Sequence, residues 1–143
     1  MGKNGLGSLK EQIKNEPFAN HMGISLRDIA PGYAMVEARF SEKMNNFHGL
    51  IHGGAVFALI DEAFGAASNS QGTIALALNM SITFVQSPKV NSLLIAEARE
   101  ENRTRHTANY HIEVLQKDSN GNQKIAVCQA LVYRKDKKLP FWE

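Results

Sequence analysis

The sequence HGGAVFALIDEAFGAASNSQG, at residues 52–72, contains the most apolar run of the chain. Between residues 55 and 67 only Asp61 and Glu62 interrupt the apolar side chains, and five residues are alanine, a strong helix former. The run is also longer than an ordinary strand. Because apolar residues cover nearly the whole circumference of such a helix, we expect it to be buried at the centre of the molecule. The polar residues and the glycine at 69–72 predict its end.

Alternating apolar and polar residues predict strands on both sides of this helix. Upstream, residues 22–29 and 33–40 should pair as a hairpin across a Pro-Gly turn, after a short helix over about residues 9–15. One antiparallel sheet of five or six strands, curled around the central helix, would cover it, and the predicted class is α+β. Downstream, the pattern predicts a meander of four strands over residues 73–85, 93–101, 107–116 and 124–134.

The composition limits the classes of function. The 143 residues suit one domain, and 16 basic against 14 acidic residues give a net charge of +2. This excess is too small for a dedicated nucleic-acid binder or a polybasic membrane patch. The single cysteine, Cys128, excludes an intrachain disulfide and fits a reducing compartment. The first residues lack the apolar segment of a signal peptide, and no window approaches the ~20 apolar residues of a membrane span, so we expect a soluble cytoplasmic protein.

Asp61 is the strongest candidate for chemistry. A carboxylate in an almost wholly apolar helix costs several kcal/mol to bury unless it is paired or hydrogen-bonded. The alternative is that Asp61 and Glu62 mark a narrow stripe of the helix that faces solvent. Both can hold in part, with Glu62 solvated while Asp61 lines a cleft.

The His52-Gly53-Gly54 segment lies where the helix should begin. The first N–H groups of a helix have no backbone partner and carry the positive end of its dipole. Glycine lets a ligand approach the backbone closely, so this segment can bind an oxyanion or polarise a carbonyl group. The alternative is a plain turn between loop and helix.

Other polar residues allow weaker hypotheses. His48 and His52 have a spacing that suits a metal ion on a helix, but Gly49 and Gly53 disfavour a helix there, so we expect no metal site. Cys128, in an apolar strand, is expected to be a small core residue. Three arginines cluster around one turn, at Arg99, Arg103 and Arg105. They either form a solvated edge or bind a phosphate group of a ligand.

The spacing Asn-x5-His-Gly-Gly-x6-Asp, from Asn46 to Asp61, resembles the motif of hotdog-fold acyl-CoA thioesterases. The most similar branch is the PaaI-like thioesterases of phenylacetic acid degradation, which residues 66–72 also resemble. The resemblance implies hydrolysis of a coenzyme A thioester to the free acid and CoA, with no cofactor. It implies a hotdog domain over residues 17–134, with a tail and short helix at 1–16 and a C-terminal tail at 135–143.

The resemblance also implies roles for the residues of the motif. Asp61 would act as a general base on water or as a nucleophile, and the backbone N–H of Gly53 would hold the thioester carbonyl oxygen. His52 and Asn46 would orient that carbonyl group, and Gly54 would contribute to substrate binding. A thiolate leaves readily, so one base and one oxyanion donor are sufficient.

The sequence departs from the family pattern at two positions. Ala77 stands where some relatives carry a serine that holds the water, so that role is either unfilled or taken by Asn79 or Ser81. Thr104-Arg105 stands where many relatives carry a glycine and a basic residue near the phosphates of coenzyme A. Arg105 is therefore the expected phosphate contact.

Helix geometry predicts an active site shared between subunits. Gly53 and Asp61 are eight residues apart, about 12 Å along a helix axis, so the aspartate cannot reach a carbonyl group held at the start of its own helix. A second subunit would close the gap, and the paired subunits of the family agree with this. The resemblance implies a homodimer as the minimum active unit and a homotetramer, a dimer of dimers, as the assembly.

Two other functions fit parts of the same pattern. A hotdog hydratase or dehydratase also acts on acyl thioesters, but it usually needs a His and carboxylate pair to move a proton from carbon. A non-catalytic acyl-CoA sensor would bind the same ligand. The 16 residues before Pro17 are too few for the helix-turn-helix domain that would support a sensor.

Overall fold

The structure is a computed structural model that describes residues 5–142. Residues 1–4 of the expected N-terminal tail, and Glu143, lie outside the described residues. None of the helices within residues 5–142 has the length and apolar character needed to cross a bilayer. The helices are α1 (Gly5–Lys14), α2 (Pro17–Met22) and α3 (Gly53–Asn69), with a 3-10 turn at Glu42–Met44. The strands are β1 (Ser25–Ala30), β2 (Tyr33–Arg39), β3 (Thr73–Phe84), β4 (Leu93–Arg103), β5 (Thr107–Gln116) and β6 (Gln123–Lys138).

The strands of residues 5–142 form one antiparallel sheet in the order β1-β2-β4-β5-β6-β3. Hairpins join β1 to β2 and connect β4, β5 and β6 in sequence, while β3 pairs with the far side of β6. The six strands and the long helix confirm the predicted α+β class. Strand β3 is an edge of the sheet, so one of its sides has no partner strand within the described chain.

Helix α3 packs against the sheet through a broad apolar surface. Leu59, Ile60 and Phe64 are fully buried, and the ring of Phe64 meets Tyr110 of β5 edge-on with centroids 5.6 Å apart. One stripe of the helix, however, is exposed. The composition of the helix predicted cover on nearly all sides. The sheet of one chain does not provide it, because this stripe stays exposed. The exposed stripe consists of Gly54, Phe57, Asp61 and Gly65.

The first strand begins later than the alternation predicted. Pro17 stands at the first turn of α2, where proline suits a helix, and this helix includes Met22. Gly23 ends α2 in the left-handed conformation, with φ +74°, and its N–H donates to the carbonyl oxygen of Asn20 at 3.2 Å. The prediction of a strand from residue 22 is therefore wrong, and β1 starts at Ser25.

The last strand runs further than predicted, and the residues after it close one end of α3. The apolar alternation stops near Arg134, but β6 continues to Lys138, whose partner in β3 is Thr73. The ring of Trp142 then packs so closely on Gly5 and Gly72 that neither position has room for a Cβ atom. The C-terminal residues thus hold α1 against the body of the molecule.

Candidate active site

The side chain of His52 caps the start of α3. Its Nδ1 accepts a hydrogen bond from the N–H of Gly54 at 2.7 Å, and its carbonyl oxygen accepts one from the N–H of Ala55 at 2.9 Å. Because Nδ1 accepts, the neutral ring carries its proton on Nε2. The cap requires glycine at position 54, since a Cβ atom there would lie 2.9 Å from His52 Nδ1.

The N–H of Gly53 has no acceptor among residues 5–142. Gly53 is the first residue of α3, where the backbone supplies no partner and the helix dipole is positive. The ring of Phe84, at the end of β3, covers it, because a Cβ atom on Gly53 would lie 3.6 Å from that ring. Sequence reasoning missed Phe84, since an apolar residue at the end of a strand carries no signal of a role in a site.

Asn46 organises the loop that leads into α3. Its Oδ1 accepts hydrogen bonds from the N–H groups of His48 at 2.9 Å and Leu50 at 3.2 Å, and its own N–H donates to Leu50 O at 2.7 Å. The N–H of His52 donates to the carbonyl oxygen of Met44 at 2.8 Å. These bonds fix the backbone on both sides of the loop. The Nδ2 of Asn46 makes no hydrogen bond to another residue within 5–142, so this amide is available to a ligand.

Asp61 opens from the exposed stripe of α3 into a cavity of about 430 Å³. Burial raises the pKa of Asp61, and the negative charge of Glu16 raises that pKa further. A carboxylate in such surroundings is a stronger base than a fully solvated one. The cavity lies between α1, α3, β3 and the C-terminal residues, and its apolar walls include Leu9, Ile13, Phe64, Leu76, Leu139 and Phe141.

Glu62, the neighbour of Asp61, is more enclosed than the sequence suggested. Its Oε2 is buried and receives no hydrogen bond from a donor among the described residues. Burial, a hydrogen bond with Glu16, and the charges of Glu16 and Asp61 raise the pKa of Glu62 to about 8. Asp61 does line a cavity, but the alternative in which Glu62 is solvated does not hold, because Glu62 is partly buried and shares the cavity wall with Glu16, from the link between α1 and α2.

Strand β3 does not bring the predicted polar residues to Asp61 within one chain. Ala77 lines the Asp61 cavity. A bulge between Ala77 and Asn79 shifts the register of β3 against β6, so that Met80 packs against the core. Asn79 and Ser81 are consequently exposed on the other face of the strand. After a bulge, the side chains that would have faced one side of the sheet face the other. The apolar sequence of β3 gives no signal that predicts the bulge.

Two of the three clustered arginines belong to the solvated edge of the sheet. Arg99 forms an ion pair with Glu97 at 2.9 Å, and its guanidinium lies 4.7 Å from the centre of the Tyr33 ring. Arg103 forms an ion pair with Glu100 at 3.3 Å. These contacts agree with the simpler of the two alternatives, a solvated edge.

Arg105 lies apart from them, in the turn between β4 and β5. Its Nη2 contacts Asp136 Oδ2 of β6 at 2.9 Å, and both side chains are exposed. It borders a second cleft, which shares no lining residue with the Asp61 cavity. One chain therefore does not bring Arg105 to Asp61. The other residues of this basic cleft are Thr73, Arg134, Lys135, Asp136, Lys137 and Lys138.

The remaining histidine and cysteine side chains show no further site. His48 stacks obliquely on Phe47 with ring centroids 4.0 Å apart. Among residues 5–142, no group of three or more His, Cys, Asp and Glu side chains is arranged to hold a metal ion. Cys128 is buried in β6, as predicted, and burial raises the pKa of its thiol to about 11.

Sequence and structure comparisons identify the family. The sequence model of the thioesterase superfamily matches residues 48–121, from the loop before α3 to the turn after β5. The acyl-coenzyme A thioesterase PaaI of Escherichia coli is 33% identical over 102 residues, which cover 71% of this chain and 73% of that protein. The solved structure of E. coli PaaI superposes with a TM-score of 0.82 at 27% identity, covering 91% of this chain and 98% of that one.

Two further solved structures are similar over most of their length. The TT0310 protein of Thermus thermophilus is 32% identical with a TM-score of 0.79, covering 85% of this chain and 99% of that one. The smu.793 protein of Streptococcus mutans, solved with acetyl CoA bound, is 25% identical with a TM-score of 0.75, covering 81% and 91%. With its six-stranded sheet and long helix, the chain has the hotdog fold and belongs to the thioesterase superfamily, and its homologues include the acyl-CoA thioesterase PaaI.

Proposed function

We propose that this protein is an acyl-CoA thioesterase, which hydrolyses a coenzyme A thioester to the free acid and CoA. The observation that carries the proposal is the Gly53 N–H at a helix N-terminus, which has no acceptor within residues 5–142, together with the Asp61 carboxylate in a cavity with apolar walls. The N–H can hold a carbonyl oxygen, and the carboxylate can activate water or attack carbon. The activity of E. coli PaaI and the acetyl CoA bound to the S. mutans protein support the ligand class.

The reaction needs few groups. Asp61 either removes a proton from water, whose oxygen attacks the carbonyl carbon, or attacks that carbon itself to form an anhydride that water then hydrolyses. In both cases the carbonyl π electrons move to oxygen, and the Gly53 N–H stabilises the negative charge. Collapse of the adduct breaks the C–S bond, and the CoA thiolate takes up a proton. We assign the orientation of the carbonyl group to His52 Nε2–H and Asn46 Nδ2, which donate no hydrogen bond to another residue within 5–142.

The two reacting groups act from different subunits in this proposal. The distance of about 12 Å between their backbones along α3 prevents one chain from completing the site. The free edge of β3 supports a second copy as the partner, because Leu76, Leu78 and Phe84 on this strand are about half exposed, at 49%, 57% and 53%. Pairing of two β3 edges about a two-fold axis would bury these side chains and create two equivalent sites. Association of two such dimers gives the homotetramer.

The coenzyme A phosphates belong, in this proposal, to the basic cleft around Arg105. Arginine and lysine are the side chains that bind phosphate, and Arg134, Lys135 and Lys137 border the same cleft. Substrate contacts at Gly54, Asn79 and Ser81, and a cytoplasmic location, stay predictions.

The direct test is to incubate the pure protein with a panel of acyl-CoAs and a thiol reagent that reports free CoA. Acetyl, hexanoyl, benzoyl and phenylacetyl thioesters cover short, medium and aromatic acyl groups. The only cysteine of the chain is buried, so it contributes little background to the thiol signal. Thiol release from at least one thioester supports the proposal. Tight binding of acyl-CoA without release would show a sensor instead, and hydration of a 2-enoyl-CoA would show a hydratase.

A further inference from the structure

The side chain of Glu16 has an unusual orientation for its position. Glu16 is the N-cap residue of α2, with φ −70° and ψ 120°, but its side chain makes no capping hydrogen bond. A carboxylate at an N-cap ordinarily accepts from an N–H group of the first helical turn. Here the side chain instead lines the Asp61 cavity, as does Glu62 of α3, and a hydrogen bond from Glu62 to Glu16 is one cause of the raised pKa of Glu62. The link between α1 and α2 therefore contributes an acid to the candidate active site.

A hydrogen bond between two carboxyl groups requires that one of them holds a proton. Glu62 is the proton carrier of this pair, since its pKa is raised to about 8 by burial, by Glu16 and by Asp61. No donor among residues 5–142 reaches the buried Oε2 of Glu62, so no other group stabilises its charged form. Below about pH 8 the proton of this pair is therefore on Glu62.

No basic side chain in the described part of the same chain offsets the acids around Asp61. The titratable groups around Asp61 are Glu62 on α3, Glu16 on the α1–α2 link, and the Cys128 thiol on β6, whose pKa the Asp61 charge helps to raise. The described lining of the cavity contains no lysine, arginine or histidine. A like charge beside a carboxylate disfavours its ionised form and makes it a stronger base.

We propose that Glu16 is a positioning residue for the Asp61 reaction. Its carboxylate, on the wall of the cavity that it shares with Asp61 and Glu62, keeps the Asp61 carboxylate basic and sets the lower pH limit of catalysis. This inference rests on the proposed role of Asp61 in hydrolysis. Residue 16 lies outside residues 48–121, which the sequence model of the superfamily matches, whereas Asp61 and Glu62 lie inside them.

The test compares pH profiles of kcat/KM for the wild type and three variants. Glu16→Gln removes the charge, lowers the pKa of Asp61, and should move the acidic limb to lower pH by about half a unit or more. Glu62→Gln keeps a donor to Glu16, so its acidic limb should stay where the wild type has it. Glu11→Gln is the matched control, because Glu11 is exposed on α1 and does not line the cavity. An unchanged limb in Glu16→Gln, or an equal shift in Glu11→Gln, would overturn the proposal.

A second readout does not depend on catalysis. Carboxyl carbon NMR titration of the wild type should show Glu62 with a pKa of about 8, and Glu16→Gln should lower the pKa of both Glu62 and Asp61. If no thioester is hydrolysed but these titrations shift as expected, the electrostatic arrangement stands and the proposed function fails. If hydrolysis is observed but Glu16→Gln moves neither titration, the function stands and the role of Glu16 is refuted.

Discussion

Asp61 and Glu62 are adjacent acids with different surroundings, and this difference decides which of them reacts. Asp61 opens into the cavity, while Glu62 is occupied by its hydrogen bond with Glu16. Asp61→Asn is nearly isosteric and should lower kcat by at least ~10², because it removes the base or nucleophile. Glu62→Gln should lower kcat far less. The check is steady-state hydrolysis by both variants, with circular dichroism to show that they fold. Equal losses would mean that Asp61 is the wrong carboxylate or that neither carboxylate is catalytic.

The protonated state of Glu62 links stability to pH. Folding raises its pKa from 4.5 to about 8, so the folded state binds the proton more tightly than the unfolded state. Its stabilising contribution is full below about pH 4.5 and is lost as the pH rises through 8. The urea midpoint of the wild type should therefore fall between pH 5 and pH 8.5 by more than that of Glu62→Gln. Parallel midpoints in the two proteins over this range would rule out a buried, protonated Glu62.

Two glycines of α3 should respond in opposite directions to the same substitution. Gly54→Ala brings a Cβ atom against the His52 ring and breaks the cap, which should cost about 1 kcal/mol of unfolding free energy. Gly65→Ala is the control, since no atom lies within 4 Å of a Cβ atom there, and alanine in a helix should add about 0.5–1 kcal/mol. Thermal or urea unfolding measures both. A stabilised Gly54→Ala would show that the cap does not exist.

At the scale of helices and strands, alternation and helix composition were sufficient to predict most elements. They succeeded for α3 and for β5, whose bounds agree with the predicted 107–116. They failed where a local feature overrides periodicity. The helix that Pro17 starts takes in Met22, the first residue of the predicted strand, and the bulge in β3 moves Asn79 and Ser81 to the outer face. Neither a helix start nor a bulge changes the apolar count of its segment, so composition alone cannot locate them.

The turn between β4 and β5 offers a test of coenzyme A binding. Arg105→Ala should raise KM for acyl-CoA more than it lowers kcat, because Arg105 is assigned to the coenzyme and not to the reacting carbon. Its side chain is exposed, so the effect should shrink as salt is added. Arg99→Ala is the matched control, since Arg99 is paired with Glu97 away from this cleft. A KM equal in Arg105→Ala and the wild type would remove Arg105 from the site.

For the molecule as a whole, the sequence was sufficient to recognise the motif from Asn46 to Asp61, but it did not predict the cavity. The walls of the cavity combine α1, α3, β3 and residues after β6, which are distant in the chain. The contact between Glu16 and Glu62 joins residues that no local pattern relates. Long-range packing of this kind follows from the topology, so it became visible only in the folded structure.

The shared site makes two variants complementary. Asp61→Asn removes the base, and Gly53→Pro removes the oxyanion donor. Proline fits here, because His52 already has the extended ψ of 136° that precedes proline, and a Cβ atom at 53 makes only ordinary contact with Phe84. Both variants should therefore fold and form dimers, yet each alone should be nearly inactive.

The most direct measurement is the thioesterase activity of an equal mixture of these two variants after unfolding and refolding together. Random pairing makes about half of the dimers mixed, and each mixed dimer rebuilds one intact site of its two. We expect about a quarter of the wild-type activity to return. A refolded mixture that is as inactive as its components, although both variants are folded and dimeric, would contradict the shared active site.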